Sequence, residues 1–392
     1  MKKTIKVATI TYHFPFNSGA ALQTVALQKS IKKLGYKVEI INYRPWYHQN
    51  RYTPQKKYEI EKIMKRDDVD DLKEAKKQYK LVQKNNKSKK KRAAVISKKF
   101  THFVNRYMNT TKVYRTMDDL CKAHFDYDII FCGSDQLWNI SLTDGELDQA
   151  YFANFAPKSI RCTYAIGINL PENHNIVNQL EKLGDGLECI SMRETKYMRL
   201  VNIALPNVPI RQDIDPTLLL QAYEYHEFEA RETCLPYGVG QYVLTYTMGD
   251  ITQKSVYNLA ILIGEKYNLP VIDITGNPNR PNEIFGVKSV TAGPDEFLTF
   301  IKNARFIITN SFHGTAFSVI YNKNFVVFPH SSTGNRVTDL LDRLGLGDRY
   351  GGDTEKLEKQ LTILPNYKCV EKKLVDLRTE SLDYIKKMCE KK

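Results

Sequence analysis

The sequence predicts an α/β protein of two Rossmann-like domains, with a basic helical insertion in the first. Three observations predict this. The N-terminal stretch alternates apolar and polar residues, then shows helical spacing, then alternates again. The stretch Phe306 to Pro329, FIITNSFHGTAFSVIYNKNFVVFP, repeats the order strand, polar turn, helix, strand with a short crossover. Between residues 51 and 115 the chain carries 21 Lys or Arg against 7 Asp or Glu, an excess equal to its whole net charge of +14.

A chain of 392 residues suits two domains, each able to bury a core. The boundaries expected are 1–235 and 236–392, with the insertion at about 46–115. Hydrophobic residues at 42% and charged residues at 26% place the chain among globular proteins. No apolar run approaches the roughly 20 residues of a membrane helix. The start, MKKTIKVATITYHF, reads as a strand rather than a signal peptide, because Lys6 interrupts its alternation. The seven cysteines include no CxxC pair, so reduced thiols in a cytoplasm are expected, with no disulfide framework and no metal site.

Ile5 to Thr11 reads as the first strand and Tyr12 to Ala20 as a loop. Ala21 to Leu34 reads as a helix whose apolar face holds Leu22, Val25, Ala26, Leu27, Ile31 and Leu34. Gly35 is its stop signal, and Val38 to Tyr43 is the second strand. The loop residues Asn17, Ser18 and Gly19 should lie at the mouth of the sheet. They do not form GxGxxG, so a dinucleotide site is not indicated. In the basic insertion, Lys87 to Arg92 is the densest run. It reads either as a solvated helical hairpin or lid, or as a contact for an anionic surface such as acidic polymer or lipid headgroups. Its aromatics, Tyr79, Phe100, Phe103 and Tyr107, are sparse and helix-spaced, so nucleic acid is not expected.

The sheet resumes at Tyr127 to Cys132 and ends in a polar turn, Gly133 to Asn139. Arg161 to Gly167 reads as one strand and Cys189 to Glu194 as another; RQDIDP (211–216) ends in a stop. A second α/β half begins near Gly240, with strands at 242–246 and 269–275 and helices at 251–267 and 294–303. After Pro329 a loop leads to a helix at 337–344. The tail, 370–390, reads as a long polar helix that packs back across the domain junction. In the Phe306 stretch, His313 sits where a strand's carboxyl end meets a helix's first turn, the place where parallel sheets hold ligands and helix N-termini attract anions. Small polar neighbours, Asn310, Ser311, Gly314 and Thr315, leave room for a ligand. The competing reading is that His313 only caps the turn.

These pieces together resemble the polysaccharide pyruvyl transferase family. The motifs that carry the resemblance are TYHFPFNSGAALQTVALQKSIKKLGYKVEIINY, FCGSDQLWN, ISMRE, DIDPTLLL and FIKNARFIITNSFHGTAFSVIYNKNFVVF, spread in order from residue 11 to 328. The resemblance implies a GT-B-like fold with the site in the cleft between the two domains. It implies transfer of the enolpyruvyl-derived unit of phosphoenolpyruvate to a sugar of a cell-surface polysaccharide or its precursor, giving a pyruvate ketal, with no cofactor. It implies His313 as the acid or base and Arg193 as a donor-binding cation. Family members with ketal chemistry often carry an arginine two residues before the histidine, where this chain has Ser311; Arg336 or Arg305 is the candidate to replace it.

The remaining roles follow from chemistry. A phosphoenolpyruvate donor brings a carboxylate and a phosphate, so cations and a helix N-terminus should meet it. Ser311, Gly314, Thr315 and Arg336 are placed there with Arg193. Asn17, Ser18 and Asp135 are candidates for the acceptor sugar. Blander readings stand beside these: turn chemistry for Asn17 and Ser18, a cap for Asp135, a pair with Glu194 for Arg193. Two other functions stay open, a nucleotide-sugar glycosyltransferase of the same fold and a non-catalytic binding protein. The basic insertion suits peripheral contact with an anionic inner membrane face, where lipid-linked acceptors are found.

Overall fold

The structure is a computed structural model. It describes residues 5–45, 47, 72–143, 145–249, 252–277, 280, 283–330 and 334–391, and the backbone alone for 72–89. Residues 46 and 48–71 of the basic insertion therefore lie outside the described residues, and at positions 87–89 of its densest charge run the backbone alone is described.

The first sheet is built from β1 (Lys6–Ile10), α1 (Ser18–Lys33), β2 (Lys37–Tyr43), α2 (Leu72–Tyr107), β3 (Thr110–Tyr114), α3 (Met117–Lys122) and β4 (Ile129–Cys132). After β5 (Asp135–Asn139), β6 (Ile160–Thr163) completes it in the order β3-β2-β1-β4-β6, every neighbour parallel. A second sheet, β5-β7-β8-β9, adds β7 (Ile166–Asn169), α4 (His174–Gly184), β8 (Ile190–Met192), α5 (Met198–Ala204) and β9 (Ile210–Gln212), again parallel.

The third sheet uses β10 (Val243–Tyr246), α6 (Gln253–Tyr267), β11 (Val271–Thr275), β12 (Glu283–Ile284), β13 (Val287–Thr291), α7 (Pro294–Asn303), β14 (Phe306–Thr309), α8 (Phe312–Ile320) and β15 (Asn324–Val327). Its order is β12-β13-β11-β10-β14-β15, parallel except for β12. The chain closes with α9 (Gly334–Leu344), α10 (Thr354–Leu361) and α11 (Tyr367–Glu390). Crossover helices cover these parallel strands, which is why β4, β10 and β14 are buried along their whole length.

Several sequence expectations need correction. The helix expected from Ala21 begins at Ser18, because the Asn17 side chain accepts from Gly19 N (2.9 Å) and Ala20 N (3.3 Å) and so starts the helix three residues early. Gly133 to Asn139 is not all turn, since β5 pairs with β7 from Asp135 onward. Arg161 to Gly167 is two strands in two sheets. The chain leaves the first sheet at Tyr164, and Ala165 sits at φ 43° between them. The insertion is not wholly helical: its end, TTKVY, supplies edge strand β3, in keeping with its β-branched residues.

The last turns of α2 belong to the core. Ile96, Phe100 and Phe103 are buried, and Phe103 packs on Tyr107 and Phe228. The aromatic spacing thus records helix packing. Lys99 of α2 pairs with Glu296 of α7 at 2.7 Å. One cluster of buried apolar residues runs from Val7 and Val25 through Tyr225 to Phe317 and Leu341, so the two large sheets share a core. The tail helix α11 packs back as expected. Tyr384 donates to Thr163 O (2.9 Å), and Arg378 donates to Leu218 O (2.8 Å).

Candidate active site

A cavity of about 230 Å³ opens where the two parts meet. Tyr12, Asn17, Asp135 and Gln136 line it from one side, and Met248, Ser311, Phe312, His313, His330 and Arg336 from the other. The side chains arrive there from the segments that follow β1, β4 and β14: the loop into α1, the start of β5 and the first turn of α8. Ser311 caps α8, its Oγ accepting from Gly314 N at 3.4 Å. The helix therefore starts at Phe312, and His313 stands in its first turn.

Gly19 explains how the two sides close on each other. A Cβ added there would lie far inside van der Waals contact with Nδ1 and Cγ of His313. Only a residue without a side chain lets α1 approach the imidazole so closely. The Gly19→Ala variant is expected to open the interface between α1 and α8 and to lower thermal stability by several degrees. An unchanged melting temperature would contradict that contact.

Behind Phe312 lies a buried charge cluster. Arg193 Nη1 donates to Asp215 Oδ2 at 2.7 Å, and Arg193 Nε is 3.5 Å from Glu194 Oε2. All three residues are buried. The pair with Glu194 anticipated from ISMRE exists, in the interior rather than at the surface. The Arg193 guanidinium stacks on the Phe312 ring at 4.7 Å, and that of Arg336 lies over the same ring at 5.8 Å. Asp215 Oδ1 accepts from Thr217 N (3.0 Å) and Thr217 Oγ1 (2.8 Å). Its Oδ2 lies 3.8 Å from His313 Nε2.

Three nitrogens in this cluster are enclosed and without a hydrogen-bond partner: Arg193 Nη2, Arg336 Nε and His313 Nε2. Unmade hydrogen bonds on buried cations are costly, so such groups point to an anionic ligand. Arg336 lines the cavity. Burial and the neighbouring Arg193 push its pKa down to about 10. Burial also pushes the His313 pKa down, against the pull of the Asp215 and Asp135 carboxylates. Burial pushes the Asp215 carboxyl up, but His313 and Arg193 outweigh it and hold it below its usual range.

The structure thus brings Asn17, Asp135, Ser311, His313 and Arg336 to one cavity. Arg193 stands one layer behind it. Ser18 and Thr315 are buried in the first turns of their helices, and Gly314 packs against Thr309. Asp135 does not cap a helix; it begins β5 at φ 70°, with its Oδ1 accepting from Gln136 N at 2.8 Å. Arg305 stacks on Tyr267 at the start of β14, the strand end opposite His313, and so cannot replace the family arginine. Sequence reasoning missed Asp215, Tyr12, Gln136 and His330. Asp215 carries a signal in sequence beyond that of a stop, because an aspartate before Pro and Thr is also an N-cap, the role it has here. Among the described residues, no group of three His, Cys, Asp or Glu is arranged to hold a metal ion.

Two parallel α/β layers with a ligand-sized cavity between them define a GT-B-class protein. A solved structure agrees at the level of fold. A protein from Listeria monocytogenes described as a UDP-N-acetylglucosamine 2-epimerase is 10% identical with a TM-score of 0.50, covering 95% of this chain and 91% of that one. Arabidopsis thaliana UGT89C1 complexed with UDP-L-rhamnose is 13% identical with a TM-score of 0.47, covering 99% of this chain and 100% of that one. No curated protein matches the sequence. The sequence model described as "Polysaccharide pyruvyl transferase" matches residues 17–332, most of the chain, and the protein belongs to that family. The matched span takes in Asn17, Asp135, Arg193, Asp215 and His313 and ends just before Arg336.

Proposed function

We propose that the protein moves a pyruvyl group from phosphoenolpyruvate to two hydroxyls of one sugar in a polysaccharide or its precursor, closing a pyruvate ketal. Family membership supports the reaction class. The observation that carries the donor is Arg336. Its enclosed Nε lacks a partner, no described carboxylate lies within ion-pair distance, and it shares the cavity with His313. Arg336 takes the role that an arginine at position 311 has in other members, supplied from α9 instead of α8. The donor's carboxylate or phosphate supplies the missing counter-charge.

In this reaction His313 gives a proton to the methylene carbon of the donor, which becomes the methyl group. One sugar hydroxyl adds to the central carbon and its proton returns to the site. The second hydroxyl adds as the bond from that carbon to the phosphate oxygen breaks, and phosphate leaves with the second proton. Arg336, with Arg193 behind it, stabilises the anionic donor and the departing phosphate. Asp135 and Asn17 lie where they could orient the acceptor hydroxyls.

The test is phosphate release from phosphoenolpyruvate across candidate glycan acceptors. Acceptor-dependent release with a ketal in the product supports the reading. Turnover of a nucleotide sugar and none of phosphoenolpyruvate overturns it in favour of a glycosyltransferase.

The basic insertion extends the proposal to peripheral membrane contact. Lys90, Lys91 and Lys98 of α2 are exposed, and each basic residue near an anionic surface adds up to about 1 kcal/mol. The protein is expected to co-sediment with vesicles containing anionic lipid and to be released by about 0.5 M salt through screening. Equal recovery with neutral vesicles would remove this contact from the proposal. No described helix is long and apolar enough to cross a membrane.

A further inference from the structure

We propose that Asp215 is a positioning residue for His313. Its carboxylate holds the Nε2 edge of the imidazole, so that Nδ1 is the nitrogen that carries the reacting proton. The role rests on the reading of His313 as the site's acid.

Geometry carries the proposal. Asp215 lies just after β9, on the far side of the interface from α8. Its own orientation is set before His313 is considered, since Thr217 N and Oγ1 fix Oδ1 and Arg193 fixes Oδ2. Oδ2 is 3.8 Å from His313 Nε2, and both side chains are buried. Among the described residues, Asp215 is the carboxylate within ion-pair distance of this ring. His313 Nε2 is enclosed and has no hydrogen-bond partner. A small rotation of the ring or a slight closure of the two sides would turn the 3.8 Å approach into a hydrogen bond. Catalytic hydrogen bonds are often long before substrate binds.

The other nitrogen, Nδ1, packs against Gly19, where any Cβ would collide with it, and His313 lines the cavity. A neutral histidine whose Nε2–H is directed at a carboxylate keeps Nδ1 as its base, and the protonated ring gives its proton back from there. The charged groups that bear most on the ring, among the described residues, come from both sides of the cavity. Asp215 and Asp135 favour the imidazolium, while Arg193 and Arg336 oppose it, as does burial. The arrangement also links acid chemistry to assembly of the interface, because the carboxylate and the imidazole come from opposite sides of the cavity.

The variant that tests this is Asp215→Asn, which keeps the size of the side chain and the acceptor for Thr217. The readout independent of turnover is the titration of His313 by ¹⁵N NMR of histidine-labelled protein. Its resonances are assigned among the eight histidines by their loss in His313→Gln. In the wild type, the neutral form is expected with the proton on Nε2. In Asp215→Asn, the titration is expected to move by about one pH unit toward acid. Should the variant fail to fold, the wild-type tautomer decides alone, and a proton on Nδ1 overturns the proposal. An unshifted titration in a folded variant overturns it as well.

In turnover, kcat is expected to fall roughly 10- to 100-fold, with the alkaline limb of its pH profile moved toward acid. KM for phosphoenolpyruvate is expected to be unchanged or lower, because a carboxylate has been removed beside Arg193. A merely structural aspartate would lower stability and leave the limb in place. If the NMR shift occurs but no phosphoenolpyruvate is consumed by the wild type, Asp215 still positions His313 and the proposed reaction fails.

Discussion

Replacing His313 by glutamine is expected to lower phosphoenolpyruvate-dependent transfer by roughly 10²- to 10⁴-fold, the usual contribution of a positioned acid. The fold should survive. His313 Nε2 already lacks a hydrogen-bond partner, so no existing bond of that atom is lost. Glutamine is also close in size, which avoids a cavity against Gly19. The paired measurements are acceptor-dependent phosphate release and urea unfolding. Activity within tenfold of wild type, with unchanged stability, would show that the histidine is a packing residue and that the acid lies elsewhere. Loss of activity together with loss of fold would instead return His313 to the bland role of closing the interface.

The Arg193→Met variant is expected to be destabilised by about 3–5 kcal/mol, the cost of leaving buried charge without its partner. Asp215 and Glu194 are both buried and both face this guanidinium. Methionine replaces the stem and part of the contact with Phe312, so the loss reports charge more than volume. The pH dependence gives the sign. The Asp215 carboxyl is held below its usual range in the fold. Its ionised form therefore contributes stability that is present above the unfolded value near 4. That contribution is lost as pH falls through the folded value. Without Arg193 much of it is missing already, so the gap between variant and wild type should narrow on acidification. Unfolding curves at pH 7.5 and at a series of values below pH 4 measure this. A loss under 1 kcal/mol, or a gap independent of pH, would mean that the cluster is compensated by groups other than Arg193.

Both variants concern residues that the sequence singled out, yet their settings were legible to different degrees. The His313 stretch carried its own signal. Phe306 to Thr309 is a short apolar run, Ser311 a capping residue, and Asn324 to Val327 a second strand, and the structure has all three elements. Local rules were enough because every link is within a few residues. At Asn17 and Ser311 a side chain caps the helix earlier than apolar spacing implies. The split between β6 and β7 had no such signal. Cys162, Thr163, Ile166 and Gly167 suit a strand equally well, and the change of sheet depends on pairing partners distant in sequence.

Arg336 and Asp215 show the same limit in the site. Arg336 was a candidate from the sequence, but nothing around it in sequence says that it reaches Phe312. Asp215 lies 98 positions from His313, as their numbering shows, and 3.8 Å from its Nε2 in space.

By itself the sequence determined the α/β alternation, the family, the histidine at a helix start, and the concentration of basic charge in one segment. These depend on periodicity, on turn chemistry and on motifs that are contiguous along the chain. Only the tertiary structure decided that Gly19 seats His313, that Asp215 stands at its Nε2, that Arg193 lies one layer back and that Arg336 faces the cavity. The physical reason is that a site between two parallel sheets is assembled from strand ends brought together by packing. The charges that meet there are set by burial and distance, neither of which is written in the order of the residues.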